Sequence, residues 1–177
     1  MVNFKGKIIL FGVIMIIFSF LLINFASHMD ASSSFIGAKA PDFTLKNLKG
    51  ETVQLAKVYK KNKATLVYFW ATWCPPCRME IPEFVSFYKE YREKGVELLA
   101  VNLRETKDKV NSLKRAVGMN FPILLDTNGK AGNLYKVNAI PATFIIDSKG
   151  IIVDVIIGAT SKTALKAKIK KLIGEKK

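Results

Sequence analysis

Both cysteines of the 177-residue chain lie in one short segment, WATWCPPC at residues 70–77, and this segment constrains the fold more than any other feature. It follows a run of β-branched and aromatic residues at 65–70, which is typical of a buried central strand. The pattern after it predicts a helix from about Pro75 to Glu93. The cysteines therefore stand at a strand-to-helix junction.

The spacing of Cys74 and Cys77 predicts a disulfide that opens and closes. One helical turn separates the two residues, so their sulfurs can meet on one side of the helix. A disulfide around so short a loop adds little stability, because little loop-closure entropy is involved. The helix N-terminus favours an anion, which makes Cys74 the expected attacking thiolate. Cys77, expected to be more covered, would resolve the mixed disulfide.

Strand and helix patterns alternate along the rest of the chain, which indicates an α/β domain with a mixed sheet. Two of the predicted strand pairs are hairpins, because turn residues separate runs of alternating or apolar character. The predicted elements are a hairpin within 43–55, strands at 96–101 and 121–125, a helix at 106–117, a hairpin of 142–146 with 151–157, and a helix at 161–173.

The segment 67–77 resembles the active site of the thioredoxin superfamily, and 140–144 resembles the family's cis-proline loop, which faces the disulfide. Residues 37–43 and 77–82 are similar to membrane-anchored, extracytoplasmic thiol-disulfide oxidoreductases of the ResA/TlpA/StoA type. The resemblance covers about residues 35–174. It implies a thioredoxin-like α/β fold, a central mixed sheet flanked by helices, with an added N-terminal β-hairpin and an N-terminal transmembrane anchor.

Pro141 lies between apolar stretches, just before a predicted strand. X-Pro is the only common site of a cis peptide bond, but a proline can also simply occupy a strand's first position. The resemblance favours a cis Pro141 that shapes a groove beside Cys74 and exposes the backbone of Ile140 to an extended substrate. The expected substrate-binding residues are Trp73, Pro75, Pro76, Ile140 and Pro141.

Two departures from thioredoxin affect the chemistry. Tyr68 stands where thioredoxin has a buried acid, so the chain lacks that proton acceptor. Glu80, three residues after Cys77 at the edge of the helix's apolar face, is the predicted replacement and matches the acid of ResA-like proteins. A partly desolvated carboxylate there can exchange a proton with the thiols, whereas a solvated helix glutamate is the alternative.

The second departure is the dipeptide Pro75-Pro76. Two prolines remove two N–H groups that could stabilise the Cys74 sulfur, and only later amides such as that of Cys77 remain. Weaker stabilisation of the thiolate disfavours the reduced form. We therefore expect a reductase with a potential below about −200 mV. The expected redox group is the Cys74–Cys77 disulfide itself, with no other cofactor and no metal.

The N-terminal region predicts a membrane anchor. The run 8–26 contains no charged residue and, as a helix, would span roughly 28 Å, close to a bilayer core. Lys5 and Lys7 precede it, so the positive-inside rule keeps residues 1–7 cytoplasmic and places the rest outside the cell membrane. A cleaved signal peptide is the alternative. The expected linker is 27–36, and the expected thioredoxin-like domain is 37–177.

This topology changes how the net charge of +14 is interpreted. An exported domain rarely meets nucleic acid, so no nucleic-acid partner is expected. Many lysines fall in the predicted helix 161–173, where Leu165, Ile169 and Leu172 are spaced to face the core. The lysines then cover the solvated side of that helix. Attraction to anionic envelope surfaces is a further hypothesis.

The sequence therefore predicts a membrane-bound thiol-disulfide oxidoreductase that reduces exported disulfide-containing proteins. The resemblance implies apocytochrome c as a client, for cytochrome c maturation, and an electron donor of the CcdA type in the membrane. A StoA-like role in spore or cell-envelope assembly is the alternative. Two other classes stay open, namely a thiol peroxidase, since peroxiredoxins share an opening like 40–43, and a metal-binding or chaperone module that uses the two thiols.

Overall fold

The fold is built around β3 (Ala64–Trp70), a strand in which every residue is buried. The computed structural model describes residues 35–175. Alternate side chains of β3 enter two different cores, with Leu66, Tyr68 and Trp70 in one and Val67 and Phe69 in the other. A strand with two apolar faces can only be the centre of a covered sheet, as its sequence predicted.

The sheet has seven strands in the order β2-β1-β5-β4-β3-β6-β7 and is mixed. Strands β3, β4 and β5 are parallel, while β6 and β7 form an antiparallel hairpin and β1 and β2 form another at the opposite edge. The strands besides β3 are β1 (Thr44–Asn47), β2 (Thr52–Gln54), β4 (Val96–Leu103), β5 (Ile123–Asp126), β6 (Ala142–Asp147) and β7 (Ile152–Ile157). The predicted N-terminal hairpin is confirmed, and it extends the sheet by pairing with β5.

Helices cover both faces of this sheet. The helices are α1 (Leu55–Tyr59), α2 (Pro75–Tyr91), α3 (Lys107–Val117), α4 (Lys130–Leu134) and α5 (Lys162–Ile173). Residues of α2, α3 and α5 enter one core, and residues of α1 and α4 enter the other. Within 35–175 no helix is long and apolar enough to cross a bilayer. The predicted anchor at 8–26 lies outside the described residues.

Three details differ from the sequence prediction. The short helices α1 and α4 were not predicted, because five residues are too few to show a helical period. Helix α2 ends at Tyr91 and continues as one 3₁₀ turn, Arg92–Lys94. Phe35, assigned to the linker, packs against the rings of Tyr135 and Phe144, with centroids 6.1 and 5.6 Å away.

Candidate functional site

The two cysteines lie where β3 meets α2. Cys74 is the N-cap of α2, and its Sγ is bonded to that of Cys77 at 2.08 Å. The backbone N–H of Cys77 donates to Sγ of Cys74 over 3.2 Å. Pro75 and Pro76 between them have no N–H to offer. The expectation that the Cys77 amide remains as a partner for the Cys74 sulfur is therefore confirmed.

The disulfide is enclosed. Cys74 is 2% exposed and Cys77 is fully buried. Cys77 is therefore the more buried of the two, as expected, but only by a small margin. Pro75 and Pro76 are exposed, and the Trp73 side chain is 68% exposed beside them. A substrate that approaches the disulfide therefore meets these three side chains first.

The loop before β6 faces Cys74. The peptide bond between Ile140 and Pro141 is cis, as the sequence predicted. The carbonyl oxygen of Ile140 lies 3.8 Å from Sγ of Cys74, while the Pro141 side chain is buried. Trp73 and Ile140 line one groove on this side of the disulfide. All the predicted substrate-binding residues thus lie around the cysteines.

Glu80 lies one turn beyond Cys77 on α2 and is 3% exposed, so it is buried more deeply than a position at the edge of the apolar face suggests. The backbone N–H of Thr160, between β7 and α5, donates to its Oε2 over 2.7 Å. Burial raises the pKa of Glu80 to about 7, and the Thr160 N–H and the nearby Tyr68 hydroxyl only partly oppose this. Its carboxyl group can therefore gain and lose a proton near neutral pH.

Tyr68 belongs to the site, although the sequence analysis identified it only as the residue that stands where thioredoxin has a buried acid. Its side chain is fully buried between the rings of Trp70 and Phe84. Its hydroxyl donates to the carbonyl oxygen of Cys77 over 3.4 Å. Burial and the charge of Glu80 raise the pKa of Tyr68 far above its ordinary value, so the phenol stays protonated and acts as a donor.

The sequence reasoning missed a second acid. Glu105, just after β4, is 8% exposed and lies beside the loop that leads to Cys74. Its Oε2 accepts from the backbone N–H of Thr72 at 2.6 Å and from Nδ2 of Asn102 at 2.8 Å, and its Oε1 accepts from the Thr72 hydroxyl. Its position after a predicted strand could have indicated this role, because the carboxyl ends of the parallel strands β3 and β4 lie at the same edge of the sheet.

These groups define a dithiol–disulfide centre with an adjacent proton-exchanging acid. No cluster of three or more metal-ligating His, Cys, Asp or Glu side chains occurs within residues 35–175. The arrangement suits thiol-disulfide exchange, which needs an attacking thiolate, a resolving thiol and a route for protons.

Comparison with known proteins identifies the class. The sequence model of the AhpC/TSA family matches residues 36–155, and the chain belongs to this thioredoxin-like family. Among its solved structural neighbours, StoA from Bacillus subtilis is 32% identical with a TM-score of 0.64, covering 73% of this chain and 96% of that one. A thiol:disulfide interchange protein from Chlorobium tepidum TLS is 31% identical with a TM-score of 0.68, covering 77% and 96%.

Curated relatives narrow the class further. The thiol-disulfide oxidoreductase ResA of Bacillus subtilis is 36% identical over 129 residues, which cover 73% of this chain and 71% of that protein. The ResA of Geobacillus kaustophilus is 39% identical over 127 residues, covering 72% of each. A solved structure of a putative thiol:disulfide interchange protein DsbE from Chlorobium tepidum is 32% identical with a TM-score of 0.72, covering 78% of this chain and 98% of that one. The chain is therefore a thiol-disulfide oxidoreductase of the ResA, StoA and DsbE type.

Proposed function

We propose that the protein reduces disulfides in exported proteins and is held at the outer face of the cell membrane by the apolar segment 8–26. The reductase assignment rests on the small number of N–H donors near Sγ of Cys74. Pro75 and Pro76 have no N–H, and Cys77 donates one hydrogen bond. A thiolate with few donors is a less stable product of reduction. The reduced protein therefore gives up its electrons readily.

The exchange proceeds in two steps. The thiolate of Cys74 attacks one sulfur of the client disulfide, forming a mixed disulfide and releasing the client's other sulfur as a thiolate. Cys77 then attacks Sγ of Cys74, which re-forms the disulfide seen here and releases the second client sulfur. Two electrons pass from the protein to the client, and the two released sulfurs take up two protons.

Glu80 is the proposed proton-exchanging group for Cys77. The resolving thiol must lose its proton in an enclosed site, where bulk water cannot readily accept it. Glu80 lies one helical turn away with Oε1 free of hydrogen bonds within the described residues, and its pKa of about 7 allows proton exchange near neutral pH. It can accept the proton during resolution and return it when the disulfide is reduced again.

An anchor in the membrane would bring the domain close to a membrane-bound electron donor and to exported client proteins. We expect a CcdA-type thiol-disulfide protein in the membrane to reduce the Cys74–Cys77 disulfide after each turnover. The resemblance to ResA supports apocytochrome c as the client, which would place the protein in cytochrome c maturation. The structural likeness to StoA supports the second candidate, a role in spore or cell-envelope assembly. Neither role calls for nucleic acid or an added cofactor.

Trapping tests this proposal. The full chain with Cys77→Ala cannot resolve the mixed disulfide, so it should hold clients on Cys74 in membranes of the native host. Mass spectrometry of the trapped species would then name them. A Cys74→Ala variant is the matched control and should trap far less. Equal trapping by both variants, or a reduction potential near the −120 mV of a strong oxidant, would refute the reductase assignment.

A further inference from the structure

A cavity of about 260 Å³ opens beside the disulfide, on the side of Trp73 and Ile140. At about 30 Å³ per water molecule, it has room for a whole amino-acid side chain. Its walls are mixed, with apolar surface from Leu103 and Val137 and polar surface from Asn133, Asn138 and Arg104. Arg104 is the one charged residue among the residues that line it.

Arg104 is held in an unusual backbone conformation. Its φ is 56°, in the left-handed region that residues with a side chain rarely adopt. Its N–H donates to the carbonyl oxygen of Asp126 over 3.0 Å, which fixes the turn after β4. The guanidinium group lies against Gly129, where a Cβ would be only 2.4 Å from its Nε. The guanidinium therefore packs against the backbone of Gly129 on the cavity wall.

The charge of Arg104 is not neutralised by an ion pair anywhere within residues 35–175. Neither Glu105, its neighbour in sequence, nor Asp126, on the adjacent strand, forms an ion pair with Arg104. Glu105 accepts hydrogen bonds from Thr72 and Asn102. Asp126 is fully buried, and its Oδ2 accepts from the backbone N–H of Gly132 over 2.8 Å, while its Oδ1 has no hydrogen-bond partner within the described residues. Arg104 is exposed and is the one charged residue that lines the cavity, so its guanidinium favours an anionic occupant.

We propose that this cavity, which we call the Arg104 subsite, binds an acidic side chain of the client polypeptide next to the cysteine that Cys74 attacks. The methylene part of an aspartate or glutamate fits against the apolar wall, and its carboxylate pairs with the guanidinium of Arg104. This inference rests on the proposed reductase function. It adds the substrate class, namely disulfides flanked by a carboxylate.

The position of the subsite sets the register of the client. Trp73 directly precedes Cys74, and the Ile140 carbonyl oxygen is 3.8 Å from its sulfur, so both walls adjoin the point of attack. An extended chain advances about 3.3 Å per residue. The acidic residue therefore stands one or two positions from the client cysteine.

The test uses the reduced full chain in detergent and peptide disulfides that carry Glu or Gln at positions −2, −1, +1 and +2 from the cysteine. Single-turnover rates are measured by separating the products. We expect one Glu position to react about three- to tenfold faster than its Gln counterpart, with an advantage that shrinks as salt rises. Bis(2-hydroxyethyl) disulfide, which is small and uncharged, measures the redox chemistry alone.

Three variants complete the test. Arg104→Gln should lose the preference for Glu, and Arg104→Glu should reverse it toward Lys peptides, while both still reduce the small disulfide. Arg115→Gln, an exposed arginine of α3 outside the cavity, should keep the preference. Equal rates on Glu and Gln peptides with normal reduction of the small disulfide would overturn the subsite alone. Failure on the small disulfide as well would overturn the proposed function.

Discussion

The backbone N–H of Thr160 lies 2.7 Å from Oε2 of Glu80, although 80 residues separate them in the chain. This bond joins the segment before α5 to the helix that carries both cysteines. It satisfies one oxygen of a buried carboxyl group and leaves Oε1 without a partner in the described residues. Glu80 is therefore held in a buried position with no cation paired to it within residues 35–175, and burial raises its pKa.

The first prediction concerns stability against pH in the oxidised protein. The pKa of Glu80 is about 7 in the folded chain and 4.5 ordinarily. Between these values the folded state keeps a proton that the unfolded chain has lost, so stability falls as pH rises through this range. The loss is at most about 3–4 kcal/mol. Glu80→Gln should remove this part of the slope in urea titrations from pH 4 to 8.

A matched control lies on the same helix. Glu83 also accepts a backbone N–H from the start of α5, that of Lys162 at 2.8 Å, but its side chain is exposed. Glu83→Gln should leave the pH slope as it is. The proton-exchange role has its own readout, because Glu80→Gln should shift the pH profile of thiol titration and exchange. An unchanged profile would contradict that role, whatever the stability data show.

The second prediction concerns Pro76 and the reduction potential. Replacing it with Ala restores an N–H near Sγ of Cys74, where the Cys77 amide is the one N–H donor among the residues that the structure describes. One added hydrogen bond to a thiolate stabilises the reduced form by roughly 1.4 kcal/mol, which corresponds to about 30 mV. Pro76→Ala should therefore raise the potential by about that amount in equilibration with glutathione or dithiothreitol. A potential that stays level or falls would contradict the argument.

The third prediction concerns the loop before Cys74. Thr72→Val removes a hydroxyl that donates to the buried carboxylate of Glu105 and should cost roughly 1–3 kcal/mol in chemical unfolding. The same variant should slow thiol-disulfide exchange, because Thr72 precedes Cys74 by two residues. Thr106→Val is the control, since Thr106 is exposed and its side chain makes no capping hydrogen bond. Equal losses in both variants would show that the Glu105 contact contributes nothing.

Local sequence patterns predicted those parts of the fold whose cause is local. The buried strand β3, the cap position of Cys74 and the hairpin of β6 and β7 each follow from periodicity, turn residues or helix-start signals. Helices α1 and α4 were not predicted, because each has only five residues, too few to show a helical period.

The site was only partly predictable, because the burial and the hydrogen bonds of its acidic residues depend on contacts between segments that are distant in the sequence. The sequence placed Glu80 near Cys77, but its burial depends on the segment that contains Thr160, which no local pattern reveals. The roles of Arg104 and Glu105 depend on the strand order, since β4 places its end beside that of β3. The sequence was sufficient to predict the redox role of the cysteines, whereas the residues that surround them could be identified only from the folded structure.

The last prediction tests the packing at the end of the sheet opposite the cysteines. Gly150 has φ 79°, and a Cβ there would lie 2.6 Å from the ring of Tyr59, which is buried. Gly150→Ala should therefore cost about 1–2 kcal/mol for the left-handed backbone plus about 1–3 kcal/mol for the displaced ring. Gly50→Ala, at φ 88° with nothing within 4 Å, should cost only the backbone part. Both losses are measured by urea unfolding of the oxidised chain, and exchange activity at a temperature where both are folded should match the parent. If the two substitutions cost the same, the contact with Tyr59 does not constrain this turn.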